Sequence, residues 1–159
     1  MDVTNKIVTL SQLDNLLKHW RAVGDKVVFT NGCFDIIHRG HVSLLNQCAT
    51  LGDSIVVGLN SDISVKKLKG DKRPLQMEAD RAYILASLKN VDAVILFDED
   101  TPLELIKHIS PNILVKGGDY QAENIIGADW VEQHGGKVHI VPLVPAHSTT
   151  AIIDKITHH

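Results

Sequence analysis

The sequence predicts an α/β fold in which a mostly parallel, five-stranded sheet is covered by helices on both faces. Two observations lead to this prediction. Short, continuous apolar runs recur along the chain, as expected for strands that are buried on both faces. Segments with apolar residues at helical spacing separate these runs, so that strands and helices alternate. Doubly wound sheets of this kind bind ligands at the carboxyl ends of their strands, and we expect the site there.

The five predicted strands are rich in aliphatic residues and end in polar or glycine-containing loops. They span residues 26–30, 53–60, 91–97, 112–116 and 137–141. The first strand leads directly into a loop with Gly32 and two histidines, and the fourth ends in Gly117-Gly118. Glycine-rich turns at the carboxyl ends of strands are typical ligand sites of a Rossmann-like sheet.

The predicted helices follow from apolar spacing, N-caps and stop signals. They cover residues 11–22, 42–51, 77–88, 101–109 and 125–134, with a last helix after Ser148. Ser11 and Thr101 are the expected N-caps of two of them, and Gly24 and Gly52 are expected stops. Residues 61–76 carry five basic side chains and few apolar ones, which predicts a solvated, flexible loop beside the site.

The composition is that of an ordinary globular protein. The 159 residues are 44% hydrophobic and 22% charged with a net charge of −3, so no broad basic surface for nucleic acid is expected. We predict one domain over 1–159, with an N-terminal arm and helix (1–25) ahead of a core (26–157). No apolar stretch is long enough for a membrane span or a signal peptide, and Cys33 and Cys48 suit a reducing compartment. We therefore expect a cytoplasmic protein that binds neither membrane nor nucleic acid.

The stretch from Thr30 to His41 carries the clearest functional pattern. It joins a buried strand to a helix, and a helix N-terminus offers unpaired N–H groups and a positive dipole end to an anion such as phosphate. Gly32 and Gly40 lack a Cβ and let the backbone come close to a ligand. His38 and His41 are three residues apart and share one face of a helical first turn. Two ring N–H donors beside these amides predict a site for several phosphate oxygens.

The pattern over residues 32–41, Gly-x-Phe-Asp-x-x-His-x-Gly-His, resembles the motif of the cytidylyltransferase-like nucleotidyltransferases. Two surface histidines near a helix start would explain a lone His-x-Gly-His. They would not explain the preceding strand, the Gly-x-Phe-Asp prefix and the following helix together. The resemblance implies a nucleotidyltransferase with a doubly wound fold.

Ser148-Thr149-Thr150 precedes the last predicted helix. Taken alone, Ser148 is only an N-cap. The family that the chain resembles has a Ser-Thr-Thr or Ser-Thr-Ser here, whose hydroxyls and amides contact the nucleotide triphosphate. Members acting on glycerol phosphate usually have an arginine just upstream, where this chain has Val-Pro-Ala-His over 144–147. This difference argues against the glycerol-phosphate branch.

Three further segments are similar to the adenylyltransferase half of ADP-heptose synthase. They are 115–120 (Val-Lys-Gly-Gly-Asp-Tyr), 68–74 (Leu-Lys-Gly, then Arg-Pro) and 98–102 (Asp-Glu-Asp-Thr-Pro). The resemblance runs from about Lys26 to Ile156. It implies transfer of AMP from ATP to D-glycero-β-D-manno-heptose 1-phosphate for the inner core of lipopolysaccharide. Many relatives carry a sugar kinase ahead of this domain, so we expect a separate heptose kinase to supply the sugar 1-phosphate.

The resemblance also implies roles for individual residues. His38 and His41 would hold the ATP phosphates and stabilise the transition state, and Lys69 would reach the phosphates from the basic loop. Arg81 would bind the phosphorylated substrate. The residues implied in nucleotide binding are Asn31, Gly32, Cys33, Phe34, Asp35, Gly40, Lys116, Gly117, Asp119, Ser148, Thr149 and Thr150. Mg²⁺ would be held mainly by the ATP phosphates, without a protein metal site, and a homodimer is usual in the family.

The sequence leaves alternatives open. The same chemistry would serve a cytidylyltransferase acting on glycerol 3-phosphate or an adenylyltransferase acting on phosphopantetheine. A module that senses ATP without turnover is a different class, which the intact histidine pair disfavours. A synthetase of the aminoacyl-tRNA type also has His-x-Gly-His, but this chain is short, lacks a Lys-Met-Ser-Lys-Ser loop and is not basic. A zinc site is not expected, because the nine histidines are scattered along the sequence.

Overall fold

The computed structural model describes residues 2–118 and 120–158. Five strands form the sheet: β1 Val27–Gly32, β2 Ser54–Asn60, β3 Ala93–Phe97, β4 Ile113–Gly117 and β5 Lys137–Val141. The helices are α1 Leu10–Val23, α2 Arg39–Leu51, α3 Asp62–Lys69, α4 Glu78–Ser87, α5 Leu103–Ile109, α6 Ala128–Gln133 and α7 Thr149–Thr157. Short 3₁₀ turns precede α1 and α6.

The strands pair in the order β3-β2-β1-β4-β5, and every pairing is parallel. The first strand, β1, lies in the middle of the sheet. From β1 the chain winds outward through β2 and β3, and it returns to place β4 on the other side of β1. Continuous apolar runs form the strands because both faces are covered: Phe29 lies in one core cluster and Val28 in the other. The predicted doubly wound, Rossmann-like α/β fold is confirmed.

The helices supply one core on each face of the sheet. On one face, α1, α5 and α6 contribute Leu13, Ile106 and Val131 to the first core cluster. On the other face, α2 and α4 contribute Leu45 and Leu85 to the second. Within the described residues, no helix combines the length and apolarity that crossing a membrane requires.

Most predicted boundaries agree with the structure to within three residues, and the strand at 137–141 agrees at both ends. The start of α1 was predicted wrongly. Its N-cap is Thr9 and not Ser11, since the hydroxyl of Thr9 accepts from the N–H of Gln12 and the Gln12 side chain accepts from the N–H of Thr9. This reciprocal pair of hydrogen bonds is a capping box. The prediction of the helix start relied on the spacing of the apolar residues, which does not show where a capping box lies.

The prediction of a flexible loop over 61–76 was also wrong in its first half, because this half forms α3. The hydroxyl of Ser61 caps the helix by accepting from the N–H of Ser64, and Val65 is fully buried. Lys66, Lys67 and Lys69 lie in the last turn, where their positive charges interact favourably with the negative end of the helix dipole. A buried anchor and an N-cap thus help to form a helix from a segment that looks solvated in sequence. Residues 70–77 remain as the loop between α3 and α4.

Candidate active site

A cavity of about 580 Å³ opens at the carboxyl edge of the sheet. It lies above β1 and β4, the neighbouring strands at which the winding direction changes, where doubly wound sheets bind their ligands. Most residues predicted for the site line it: Asn31, Gly32, Cys33, Phe34, Asp35, His38, Gly40, His41, Lys69, Lys116, Gly117, Ser148, Thr149 and Thr150. Asp119, predicted to bind nucleotide, lies outside the described residues. The roles of all these residues stay predictions.

The two histidines begin α2 and hold each other in place. His38 is the N-cap, and its Nδ1 accepts from the N–H of Gly40 at 3.0 Å. The Nδ1 of His41 accepts from the N–H of His38 at 3.3 Å. The rings stack with their centroids 3.8 Å apart. Because each Nδ1 is an acceptor, a neutral ring must carry its proton on Nε2, so both histidines present an N–H donor without being charged.

Both histidines favour the neutral form. Burial and the neighbouring His38 lower the pKa of His41 from 6.5 to about 4. Burial and the nearby His147 lower the pKa of His38 in the same direction. At neutral pH the pair therefore presents dipolar N–H groups to the cavity, beside the positive end of the α2 dipole.

The loop between β1 and α2 is held in a strained conformation. Phe34 and Ile36 have φ angles of 47° and 58°, in the left-handed region that residues other than glycine rarely occupy. Phe34 is buried, and its ring centroid lies 5.1 Å from that of His41. Such strain persists where the surroundings determine the backbone, and it is frequent at functional sites.

Asp35 is the residue that fixes this loop. Its buried carboxylate accepts from the N–H of Leu75 (2.8 Å), from the N–H of Gln76 (3.0 Å) and from Nε of Arg73 (2.8 Å). Burial alone would raise its pKa, but the two N–H groups and Arg73 outweigh burial and lower the pKa of Asp35. Its backbone carbonyl accepts from the hydroxyl of Thr149 at 2.7 Å, which ties the start of α7 to the same point.

The start of α7 also lines the cavity. The hydroxyl of Ser148 accepts from the N–H of Ala151, so Ser148 is an N-cap, as the simpler of the two sequence interpretations holds. Ser148, Thr149 and Thr150 also line the cavity, so the cap does not exclude the predicted contact with phosphates. Next to them lies His147, which the sequence analysis did not select.

Several cations surround Cys33 at the end of β1. Burial raises the pKa of the Cys33 thiol, against the opposing effects of Lys69, Arg81, Arg73 and Lys116. The pKa of Lys116 is lowered mainly by burial. Its Nζ lies 5.9 Å from the centroid of the Tyr120 ring. This concentration of positive charge suits a ligand with more than one phosphate.

The structure corrects the prediction for Arg81. Its side chain is fully buried (0% exposed) and does not line the cavity. Nε donates to the carbonyl of Gln76, Nη1 to the carbonyls of Cys33 and Asn60, and Nη2 to the carboxylate of Asp62, at 2.7–3.0 Å. Four of its five donors are thus used within the protein. Arg81 joins the ends of β1 and β2 to α3 and α4, away from the cavity where its predicted ligand would lie.

The described residues contain no group of three or more His, Cys, Asp or Glu side chains arranged to hold a metal ion. Among the described residues, two carboxylates line the cavity. Asp35 is occupied by Arg73, and Asp100 lies 3.4 Å from Nζ of Lys67. This donor set does not make a protein cage for Mg²⁺, but it suits an ion that arrives with the phosphates of a nucleotide.

A family model described as cytidylyltransferase-like matches residues 29–155. The bifunctional protein HldE of Geobacter metallireducens is 54% identical over 155 residues, and that of Gluconobacter oxydans is 51% identical over 153. These matches cover 98% and 96% of this chain, but 32% of each relative. The chain therefore spans about a third of the length of the curated relatives it matches.

Two solved structures are similar as well. The lipopolysaccharide core biosynthesis protein from Thermoplasma volcanium has a TM-score of 0.62 and 29% identity, covering 76% of this chain and 98% of that one. A pantoate–β-alanine ligase from Francisella tularensis has a TM-score of 0.63 and 15% identity, covering 96% of this chain and 78% of that one. The second likeness concerns the fold alone.

Proposed function

Since the chain belongs to the cytidylyltransferase-like family and is a nucleotidyltransferase, we propose that it transfers AMP from ATP to D-glycero-β-D-manno-heptose 1-phosphate. The products would be ADP-heptose and pyrophosphate, used for the inner core of lipopolysaccharide. The segments around Lys69 and Lys116 that resemble ADP-heptose synthase support this choice of substrates. The relatives named bifunctional protein HldE and the structure titled a lipopolysaccharide core biosynthesis protein support it too.

The observation that best supports the chemistry is the histidine pair at the start of α2. Its two Nε2–H donors belong to a cavity that is also lined by the first turn of α7. Donors fixed by the fold need no reorganisation when negative charge develops on the phosphates, which is the largest single source of catalysis in many enzymes. His38 and His41 are therefore the proposed catalytic residues, with Lys69 reaching the phosphates from the end of α3.

The proposed reaction is a direct displacement. An oxygen of the sugar phosphate forms a bond to the α-phosphorus of ATP, and the bond from that phosphorus to the oxygen leading to the β-phosphate breaks. Pyrophosphate leaves with the electron pair. The attacking oxygen is already an anion, so the protein has to align the reactants and neutralise charge, and it does not have to remove a proton.

Mg²⁺ bound to the ATP phosphates would add charge neutralisation to that of the protein donors. The residues lining the cavity fit such an ion better than a permanently bound one, because the carboxylate of Asp35 is already paired with Arg73. The proposal therefore assigns no protein ligand to the metal.

Pyrophosphate release in the presence of Mg²⁺ tests the proposal. ATP and CTP are each combined with heptose 1-phosphate, glycerol 3-phosphate and phosphopantetheine. Release with ATP and heptose 1-phosphate alone is the expected result. Release with CTP and an alcohol phosphate would keep the mechanism and overturn the substrates. ATP binding without release from any pair would favour a nucleotide-sensing module and overturn the assignment of the reaction.

The proposal extends to the partners of the chain. A kinase that phosphorylates the anomeric hydroxyl must supply the sugar 1-phosphate, and the proposed setting is the cytoplasm, where ATP is available. We also propose a homodimer, as is usual in the family. Sedimentation equilibrium at several protein concentrations would test this, and a mass equal to that of one chain throughout would refute it.

A further inference from the structure

Arg73 lies in the wall of the cavity, and neither the sequence analysis nor the proposed mechanism gives it a role. It belongs to the loop between α3 and α4. Its Nε donates to Oδ2 of Asp35 at 2.8 Å, and the two side chains are 16% and 0% exposed. A charged pair at this depth must be held by further hydrogen bonds, and the N–H groups of Leu75 and Gln76 provide them on the Asp35 side.

The remaining donors of Arg73 are available to a ligand. A guanidinium carries five N–H donors, of which the Asp35 contact uses one. No acceptor among the described residues receives a hydrogen bond from Nη1 or Nη2 of Arg73. Asp35 thus fixes the orientation of the guanidinium at Nε, and Arg73 lines the cavity. A planar fork of this kind matches the oxygens of a phosphate group.

The position of Arg73 in the fold separates it from most of the groups proposed to hold the triphosphate. Apart from Lys69, those groups start α2 and α7 and follow β1, β4 and β5. Arg73 belongs to the connection from β2 to β3, on the other side of β1. Lys69, at the end of α3, and Asp100, after β3, line the cavity on this same side.

We propose that Arg73 binds the phosphate group of the acceptor substrate, and that Asp35 is a positioning residue which orients Arg73. The proposal rests on the proposed nucleotidyl transfer and adds the residue that aligns the second substrate. The acceptor oxygen forms the new bond to the α-phosphorus while pyrophosphate leaves with the electron pair of the broken bond. Arg73 transfers no proton in this step; it holds the attacking phosphate close to the α-phosphorus and offsets the repulsion between the two anions.

The kinetic test compares Arg73→Gln with Lys72→Gln. The control removes the same charge from the neighbouring residue, which is exposed and makes no hydrogen bond or ion pair to other described residues. We expect R73Q to raise the KM for the sugar 1-phosphate by about tenfold to a hundredfold, as loss of a charge-assisted pair does. The KM for ATP should change by less than about threefold, and R73K should recover part of the loss. An equal rise in both KM values, or identical kinetics of R73Q and K72Q, would overturn the proposal.

A binding experiment makes the test independent of the identity of the sugar. Wild type, R73Q and K72Q are each saturated with a non-hydrolysable ATP analogue and titrated with inorganic phosphate in a calorimeter. Weaker phosphate binding in R73Q alone supports the role of Arg73, whether or not heptose 1-phosphate is turned over. A lack of turnover with heptose 1-phosphate would count only against the proposed substrates. Equal phosphate affinity in all three proteins overturns it.

The role of Asp35 is tested by Asp35→Asn, alone and combined with R73Q. If Asp35 acts by orienting Arg73, D35N raises the KM for the acceptor as R73Q does, and the double variant shows no further rise. Additive effects would overturn the assignment of Asp35 as a positioning residue. Thermal melting of each variant separates these effects from loss of the fold.

Discussion

Replacing Gly40 by alanine tests whether the orientation of the histidine pair matters for catalysis. Gly40 is the second residue of α2. A Cβ there would lie 2.8 Å from Cε1 and 3.0 Å from Nδ1 of His38, and 3.4 Å from the carbonyl of His147. The first two distances are shorter than van der Waals contact, so the His38 ring must turn away. It then loses its hydrogen bond to the N–H of Gly40 and its stacking on His41.

The expected effects on stability and on rate differ in size. Alanine in place of glycine stabilises a helix by about 1 kcal/mol, and the lost hydrogen bond costs about 1 kcal/mol. The free energy of unfolding should therefore change by less than about 1 kcal/mol, which is about 2–4 °C in Tm for a chain of this length. The loss of one oriented donor typically lowers kcat by about a hundredfold or more.

The assay is pyrophosphate release by the purified Gly40→Ala protein, together with its melting temperature. Gln47→Ala is the matched control, because Gln47 is exposed on the same helix and has no side-chain hydrogen bond to other described residues. A G40A protein that melts with the wild type and turns over within about threefold of it would refute the role given to the His38 orientation.

Three further predictions concern buried or polar residues near the cavity. His41→Ala should lower kcat at least about a hundredfold. His139→Ala, at an exposed histidine, serves as the control. A kcat of His41→Ala within about threefold of the wild-type kcat would show that His41 takes no part in the chemistry. The unfolded chain binds a proton at His41 near pH 6.5 but the folded chain only near 4, so stability falls as pH drops through this window. Melting temperatures at pH 7 and pH 5 should therefore differ less in His41→Gln than in wild type; an equal difference would contradict the lowered pKa. Arg81→Met should lower the free energy of unfolding by about 3–5 kcal/mol in urea, because it leaves the carbonyls of Cys33, Asn60 and Gln76 without their buried donor. The control Lys89→Met, at an exposed residue, should leave the free energy of unfolding unchanged. An R81M protein as stable as wild type, with a raised KM for the acceptor, would restore the substrate-binding role of Arg81.

The sequence was sufficient for the sheet and for most of the cavity lining. Strands buried on both faces need continuous apolar runs, and such runs occur at few places in this chain. The histidine loop was recognisable because its chemistry is local: the helix start, the glycines and both histidines lie within ten residues.

Contacts between distant segments could not be predicted in this way. Asp35 and Arg73 are 38 residues apart in sequence, and no spacing rule connects them. The burial of Arg81 could have been predicted, because Arg81 lies four residues before Leu85 on the buried face of α4. An arginine on an apolar face has to find its acceptors inside the protein.

The three hydrogen bonds to the Asp35 carboxylate also have a consequence for hydrogen exchange. Leu75 belongs to a surface loop and the residue is 54% exposed, yet its N–H donates to a carboxylate that water does not reach. The N–H of Gln76 does the same. These two amide protons should therefore exchange with solvent at rates closer to those of core strands than to those of the neighbouring loop residues. In terms of local opening, this wall of the cavity belongs to the stable part of the molecule.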